Sequence, residues 1–217
     1  MDLNGKTINA TPSGSYPFAV AGSNLTLKNG KLVTNKYGIG SGGDGASLNV
    51  IVLENMILEA GSVGVYHNGS YYGVDVTVKD STINGSDVGI FLSGSKSWNA
   101  QNQLNIVNST IIGSTAVEAK HTDISVTDST LTATEEEATR NSTSGNCTVG
   151  FALALTNNTT SSSKEATSGS VNLYGVNNIT GRMWVKAEDA VYVTTNAAGQ
   201  VTVPAGYAWV NGVLTQF

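Results

Sequence analysis

The sequence predicts an all-β protein, a right-handed single-stranded parallel β-helix (solenoid) of about seven to nine coils. Three features predict it. A short phrase recurs every 20 to 28 residues, apolar and polar residues alternate at its start, and each copy contains a turn-forming Asn or Asp. No segment of the sequence shows apolar residues at helical spacing.

The recurring phrase reads apolar, any, apolar, any, Asn or Asp, any, any, Ile or Leu. Regular copies lie at residues 25–32, 76–83, 104–111 and 124–131, a copy displaced by one residue at 50–57, and a looser copy at 171–179. The third positions of the first five copies are Leu27, Val52, Val78, Ile106 and Val126, at steps of 25, 26, 28 and 20 residues. The next step, to Leu173, is 47 residues, which indicates either a diverged coil or a long insertion.

A second strand is predicted in each coil by a phrase in which two apolar or aromatic residues flank a small one. Copies lie at residues 37–39, 63–65, 88–90 and, after a long insertion, 149–151, and the fourth coil has a plainer copy at 115–117. Alternation of this kind is typical of strands with one buried face.

The Asn or Asp of each phrase predicts a bend, because these residues tolerate left-handed backbone and bond to nearby amides. The residues concerned are Asn29, Asp80, Asn108 and Asp128. The Ser-Thr pairs that follow Asp80, Asn108 and Asp128 are expected to stack as hydroxyl ladders.

Composition narrows the class of function. Ser, Thr and Asn form about a third of the 217 residues while charged residues reach only 12%, which is typical of a secreted or surface-displayed protein. The net charge is −5 and no basic cluster is denser than Lys28 with Lys31, so we expect no nucleic-acid partner and no binding to anionic lipid. No apolar run approaches the roughly 18 residues of a membrane span, so no membrane insertion is expected.

The chain is interpreted as a single β-helix domain over residues 1–217. Residues 1–24 are predicted to form the opening coil and 189–217 an end coil or cap, because residues 201–213 match no coil. We expect a secretion signal upstream of Met1. Cys147 is the single cysteine, so no intrachain disulfide is possible, and a monomer is expected.

Residues 2–8, Asp-Leu-Asn-Gly-Lys-Thr-Ile, look like the opening coil of secreted bacterial right-handed β-helix proteins of the pectin-lyase-like superfamily. This resemblance implies the fold and a bacterial secreted or cell-surface setting. The superfamily includes polysaccharide lyases, glycosidases, adhesins and tail spikes, so the resemblance alone fixes no activity.

Aromatic residues suggest a candidate binding site. Alternation places Tyr66 and Phe91 outward at equivalent positions of neighbouring coils, about 4.8 Å apart, as an exposed aromatic step. Tyr71, Tyr72 and Trp98 lie in loops that leave the same edge. Flat aromatic faces with amide neighbours suit sugars, so these five residues form a candidate carbohydrate site. The alternative is that the loops fold back and bury the rings as local packing.

The leading hypothesis is a non-catalytic bacterial surface or secreted module, either adhesin-like or carbohydrate-binding, whose partner is a polysaccharide or a cell-surface glycan. The alternative is a polysaccharide-degrading lyase or glycoside hydrolase. Its acids would come from Asp75, Asp80, Asp87 and Asp123, and its base from His67 or Lys120 with help from Arg140 or Arg182. Both histidines are expected at the surface or in loops. We assign no catalytic residue, metal site or cofactor.

Overall fold

The structure of the protein is a computed structural model that describes residues 1–11, 16–42, 47–68, 72–93, 101–136, 139–140, 148–156, 169–184, 192–195, 201–202, 207–210 and 213–216. These residues form 24 strands and no helix, so the prediction of an all-β chain is confirmed for them. In this part of the chain no helix is long and apolar enough to cross a membrane.

The first sheet contains 13 strands. They are β1 (Thr7–Asn9), β3 (Asn24–Thr34), β5 (Asn49–Ala60), β7 (Val74–Lys79), β8 (Thr82–Gly85), β10 (Asn102–Val107), β11 (Thr110–Gly113), β13 (Thr122–Thr127), β14 (Thr130–Ala133), β18 (Gly169–Tyr174), β19 (Asn178–Thr180), β23 (Tyr207–Val210) and β24 (Val213–Gln216).

The second sheet contains nine strands. They are β2 (Phe18–Val20), β4 (Tyr37–Gly42), β6 (Val63–Asn68), β9 (Val88–Ser93), β12 (Thr115–Lys120), β17 (Phe151–Thr156), β20 (Arg182–Trp184), β21 (Tyr192–Thr195) and β22 (Val201–Thr202). A separate antiparallel pair is formed by β15 (Thr139–Arg140) and β16 (Thr148–Val149).

Pairing within both sheets is parallel over most of the chain, and the strands belong to strongly curled sheets. The successive neighbours in the first sheet are β3, β5, β7, β10, β13 and β18. The successive neighbours in the second sheet are β2, β4, β6, β9, β12, β17 and β20. The chain passes from one sheet to the other and back, so each strand pairs with its counterpart one sequence repeat later. This arrangement is compatible with a parallel β-helix.

Alternation along the strands builds the core. In β7, Val74, Val76 and Val78 have no exposed surface, while the intervening residues point the other way and keep contact with solvent. The inward residues of both sheets belong to one buried cluster, in which Leu27 and Leu53 of the first sheet join Ile39 and Val65 of the second. Burial of apolar surface at roughly 25 cal/mol per Å² is therefore the main stabilising term.

The pairing register corrects two sequence-based alignments. Leu27 pairs with Leu53, not with Val52, so the second copy of the phrase starts at Ile51 and is not displaced. Its Asn55 then aligns with Asn29. In the second sheet Val117 pairs with Leu153, so residues 151–153, not 149–151, are the equivalent phrase.

The 47-residue step is a long insertion and not a second repeat. Val126 pairs directly with Leu173, because β13 and β18 are neighbours in the sheet. Part of the inserted length forms the β15–β16 pair. No strand is therefore missing from either sheet at this position, and the added length lies in the sequence between β14 and β18.

The predicted turn chemistry is confirmed at the Asn and Asp positions. Positive φ angles of 47° to 56° occur at Asn29, Asn55, Asp80, Asn108 and Asp128. Side-chain bonds link successive turns: Asn55 Nδ2 donates to Asn29 Oδ1 at 3.0 Å, and Asn108 Nδ2 donates to Asp80 Oδ1 at 2.6 Å. These residues therefore shape the backbone and bond to one another.

A ladder of serine hydroxyls is also present, and its hydrogen bonds run to backbone N–H groups. Each serine hydroxyl accepts a hydrogen bond from the backbone N–H at the equivalent turn of the preceding repeat: Met56 N–H bonds to Ser81, Ser81 N–H to Ser109, and Ser109 N–H to Ser129. All three donors are buried, so the serines satisfy backbone groups that the strands leave unpaired.

At the C-terminal end the pairing becomes antiparallel in both sheets. β24 pairs with β18 and β23, and β21 pairs with β20 and β22. The assignment of 189–217 as an end coil or cap stays a prediction, as does the single-domain interpretation of residues 1–217.

Candidate functional site

The outward positions of the second sheet form a column that we call the outer column, made of Gly40, Tyr66, Phe91, Glu118 and Ala154. These residues are in register on β4, β6, β9, β12 and β17. The residue before each of them is buried in the common core, so alternation turns the column to the opposite face of the sheet.

Tyr66 and Phe91 stack in the outer column, in the register predicted from the sequence. Their ring centroids lie 5.2 Å apart with an interplanar angle of 19°. The predicted exposure is wrong for Phe91, which is 1% exposed, whereas Tyr66 is half-buried. Phe91 is covered because it packs with Val63 and Val88 and lies 5.1 Å beneath the Lys120 ammonium.

A third ring, Tyr16, extends the stack at the other end. The Tyr16 ring lies against Gly40, where an added Cβ would come within 2.3 Å of Tyr16 Cδ1. The Tyr16 and Tyr66 centroids are 5.9 Å apart at 21°, and Tyr37 contacts both rings at 4.9 and 5.3 Å. Sequence reasoning missed Tyr16, although a glycine in a column of large side chains signals that a ring from elsewhere fills the space.

A cleft of about 400 Å³ opens beside Tyr16 and Tyr66. The described residues that line it are Tyr16, Ala19, Val20, Ala21, Gly40, Ser41, Gly42, Tyr66 and Asn68. Two tyrosine residues thus share a concave surface with one serine and one asparagine. Apolar surface with a few polar groups is the usual make-up of a small-molecule site.

The tyrosine hydroxyls at the cleft stay protonated over a wide pH range. Burial raises the pKa of Tyr16 to about 12, and the neighbouring Tyr66 and Tyr37 add to the effect. Burial also raises the pKa of Tyr66. Both phenols therefore remain neutral groups that can donate and accept hydrogen bonds near neutral pH.

Ser41 connects the cleft to a buried histidine. Ser41 Oγ lies 2.7 Å from His67 Nδ1. The His67 ring has no exposed surface, and burial lowers its pKa to about 4 against the opposing effect of the Tyr72 and Ser41 backbones. His67 Nε2 has no hydrogen-bond partner within the described part of the chain. The imidazole is therefore neutral at pH 7, which makes it a weak base for catalysis.

The expectation that both histidines are surface or loop residues is wrong for His67, which lies on β6 and has no exposed surface, whereas His121 is 1% exposed but does lie between two strands. The reason is register. His67 pairs with the core residue Leu92 and continues the inward positions of β6 after Val65. His121, with a φ of 48°, occupies the tight link between β12 and β13.

Glu118 and Lys120 form a buried ion pair further along the outer face. Lys120 Nζ lies 3.8 Å from Glu118 Oε1, and both side chains are at most 1% exposed. Glu118 Oε2 also accepts hydrogen bonds from the backbone N–H of Thr148 at 3.1 Å and from its hydroxyl at 2.7 Å. Lys120, a predicted candidate base, is thus held between an acid and the Phe91 ring.

The aspartates predicted for an enzyme are spread over two faces. Asp80 and Asp87 lie at turns, where they accept hydrogen bonds from Asn108 and Ser62. Asp75 and Asp123 both pair with Gln103, so they stand on one face with a strand between them. Within the described ranges, no three His, Cys, Asp or Glu side chains are grouped as a metal site.

The remaining predicted residues have separate locations. Tyr72 is 42% exposed and precedes β7. Arg182 is exposed at the start of β20. Tyr71 and Trp98 lie outside the described residues, as do Cys147 and the side chain of Arg140.

Comparison of the chain with protein-family models, with curated proteins and with solved structures gives no match. The superfamily resemblance of residues 2–8 accordingly stays a prediction.

Proposed function

We propose that the chain is a non-catalytic carbohydrate-binding module of a bacterial secreted or cell-surface protein. The observation that carries this proposal is the placement of the stacked Tyr16 and Tyr66 rings at a 400 Å³ cleft together with Asn68 and Ser41. Sugar rings present flat C–H faces that pack on aromatic rings, and hydroxyls that bond to amides and alcohols. The site therefore matches a glycan in both its apolar and its polar surfaces.

We further propose that the two curled sheets are the faces of a right-handed parallel β-helix of about seven to nine coils. Three features support this: the passage of the chain between two parallel sheets, pairing of each strand with its counterpart one repeat later, and left-handed turns at equivalent positions. The resemblance of residues 2–8 to the pectin-lyase-like superfamily points the same way. A rigid stack of this kind suits a module that projects a binding face from a surface.

The proposed extracellular setting rests on composition. The neutral polar residues Ser, Thr and Asn form about a third of the sequence, and only 12% of the residues are charged. A glycan is the class of partner that fits both this composition and the cleft.

A glycan-array screen of the purified chain, with and without calcium, tests the binding function. We expect retention of at least one glycan class, and loss of that retention when Tyr66 is replaced by Ala. Tyr174, which is 44% exposed on β18 of the other sheet, provides the matched control Tyr174→Ala. Equal retention by wild type, Tyr66→Ala and Tyr174→Ala would show that the cleft is not the site, and an array with no retained glycan would remove the proposal.

One observation favours the alternative function, glycoside hydrolysis. The backbones of Asp75 and Asp123 are separated by two strand spacings, about 9.5 Å, on one face of the sheet, and inverting glycosidases hold their two carboxyl groups roughly 6.5–9.5 Å apart. Burial raises the pKa of Asp75, as suits a general acid. Asp123 is fixed by Ser170 Oγ at 2.9 Å and by Gln103 Nε2 at 3.2 Å.

Product analysis on every retained polysaccharide separates the two functions. Binding without new reducing ends supports the module. Release of reducing ends that disappears in both Asp75→Asn and Asp123→Asn would establish the hydrolase instead.

A further inference from the structure

Among the described residues that line the cleft, no polar side chain carries a formal charge. The polar groups of these residues are the hydroxyls of Ser41, Tyr16 and Tyr66, the amide of Asn68, and backbone groups such as those of Gly42. Uncharged donors and acceptors recognise sugar hydroxyls, whereas a carboxylate or sulfate needs a charge-assisted partner.

Two lysines of the described residues contact the aromatic rings. Lys36 Nζ lies 5.1 Å from the centroid of Tyr37, and Lys120 Nζ lies 5.1 Å from that of Phe91 and pairs with Glu118. Lys120 is on β12, which borders β9 on the side away from β6 and the cleft. Neither ammonium is among the groups that line the cleft.

Ser41 and its buried partner His67 are also neutral. Ser41 Oγ bonds to His67 Nδ1 at 2.7 Å, and the neutral imidazole can accept the hydroxyl proton or donate to the oxygen, depending on its tautomer. In either arrangement the Ser41–His67 pair adds no formal charge beside the cleft.

The net charge of the whole chain also disfavours the binding of acidic sugars. The net charge of −5 repels polyanions at a distance, so an acidic polysaccharide approaches against the field of the protein. A uronate placed in the cleft would also lose hydration without an ionic partner among the described lining residues, which is costly.

We propose, on the basis of the carbohydrate-binding function above, that the cleft takes a neutral sugar unit and discriminates against uronic acids and sulfated sugars. The sugar packs its C–H face on the Tyr16 ring beside the edge of Tyr66 and places hydroxyls toward Asn68. The volume of about 400 Å³ is near the lower end of the roughly 300–1,000 Å³ of small-molecule sites, so the ligand is a terminal sugar or a short oligosaccharide.

Calorimetric titration at pH 7 tests this selectivity with neutral gluco-, galacto- and manno-oligosaccharides against oligogalacturonate, oligoglucuronate and sulfated galactan fragments. We expect at least one neutral series to bind with an affinity that is independent of salt, and the acidic counterpart to bind at least about tenfold more weakly. Uronates that bind as tightly as their neutral counterparts would overturn the selectivity while leaving carbohydrate binding intact. Failure of every probe would overturn the proposed function itself.

A gain-of-charge variant provides a second readout that does not depend on loss of folding. Asn68 is exposed at the end of β6, so Asn68→Lys adds a cation at the cleft at little cost to the fold. We expect this variant to bind uronates at least about tenfold more tightly than wild type does at low salt, with the gain reduced at high salt. An unchanged uronate affinity would contradict the placement of the sugar beside Asn68.

Discussion

The ring of Tyr16 lies against Gly40, in the position that a side chain from β4 would otherwise occupy in the outer column. This contact brings a residue from outside the repeats into the aromatic stack and forms one wall of the cleft. A methyl group added at Gly40 would therefore displace the Tyr16 ring and remove this wall of the cleft.

Replacement of Gly40 by Ala is expected to displace the Tyr16 ring, because the new Cβ would lie 2.3 Å from Tyr16 Cδ1. The free energy of unfolding should fall by about 1 kcal/mol as Tyr16 loses its contacts with Tyr37 and Tyr66. Glycan affinity, measured by calorimetry, should fall at least about tenfold.

The double variant Gly40→Ala with Tyr16→Ala is the control for this mechanism. Its glycan affinity should equal that of Tyr16→Ala alone, since both changes remove the same ring. Additive losses of affinity would show that Gly40 acts in some other way.

The buried His67 predicts a loss of stability in mild acid. Its pKa is lowered to about 4 in the folded protein against 6.5 for the ordinary side chain, so the unfolded chain binds the proton more readily. Stability is then complete above about pH 6.5 and falls between pH 6.5 and pH 4, by roughly 3 kcal/mol in total.

Denaturant unfolding at pH 7.5, 6, 5 and 4 checks this, with His67→Leu as the comparison because Leu92 occupies the paired position. As the pH falls, the wild type should lose more unfolding free energy than the His67→Leu variant does. Other titrating groups, His121 included, are common to both proteins. A difference that stays constant with pH would mean that His67 does not titrate in this range.

The serine ladder predicts a cost for removing one hydroxyl. Ser109 Oγ accepts from the buried Ser81 N–H at 3.1 Å, so Ser109→Ala leaves that donor without its partner. The expected loss in unfolding free energy is about 1–3 kcal/mol by denaturant titration. Ser125→Ala, at a half-buried outward position on β13, should change it by less than about 0.5 kcal/mol. Equal effects of the two substitutions would argue against a structural ladder.

The buried Glu118 and Lys120 pair predicts strong coupling. Lys120→Met leaves the Glu118 carboxylate without its cation at a site with no exposed surface, and should destabilise the protein by about 3–5 kcal/mol. The double variant Lys120→Met with Glu118→Gln removes both charges and should recover part of that loss. Additivity of the two single changes in thermal unfolding would show that the pair is not coupled.

Local chemistry explains what the sequence could predict. Asn29, Asp80 and Asn108 adopt left-handed backbone because their side chains tolerate it, and this depends little on the rest of the fold. The adjacency of Tyr66 and Phe91 follows from strand alternation and the repeat. The first property depends on a few consecutive residues, and the second depends on the length of the repeat.

Contacts between distant segments explain what was missed. Tyr16 reaches the outer column from outside any repeat. Glu118 occupies an outward position and Phe91 its neighbour, yet both are buried, and Glu118 bonds to Thr148 from the insertion. His67 follows the inward alternation of Val65, but its residue type suggested the surface.

Binding of a neutral oligosaccharide to the wild type, Tyr16→Ala and Tyr174→Ala tests the central claim most directly. Calorimetry on the best array hit should give wild-type affinity for Tyr174→Ala and an affinity at least about tenfold lower for Tyr16→Ala. The unfolding midpoint of each variant, measured in parallel, verifies that each remains folded. Wild-type affinity in a folded Tyr16→Ala protein would contradict the assignment of the cleft as the glycan site.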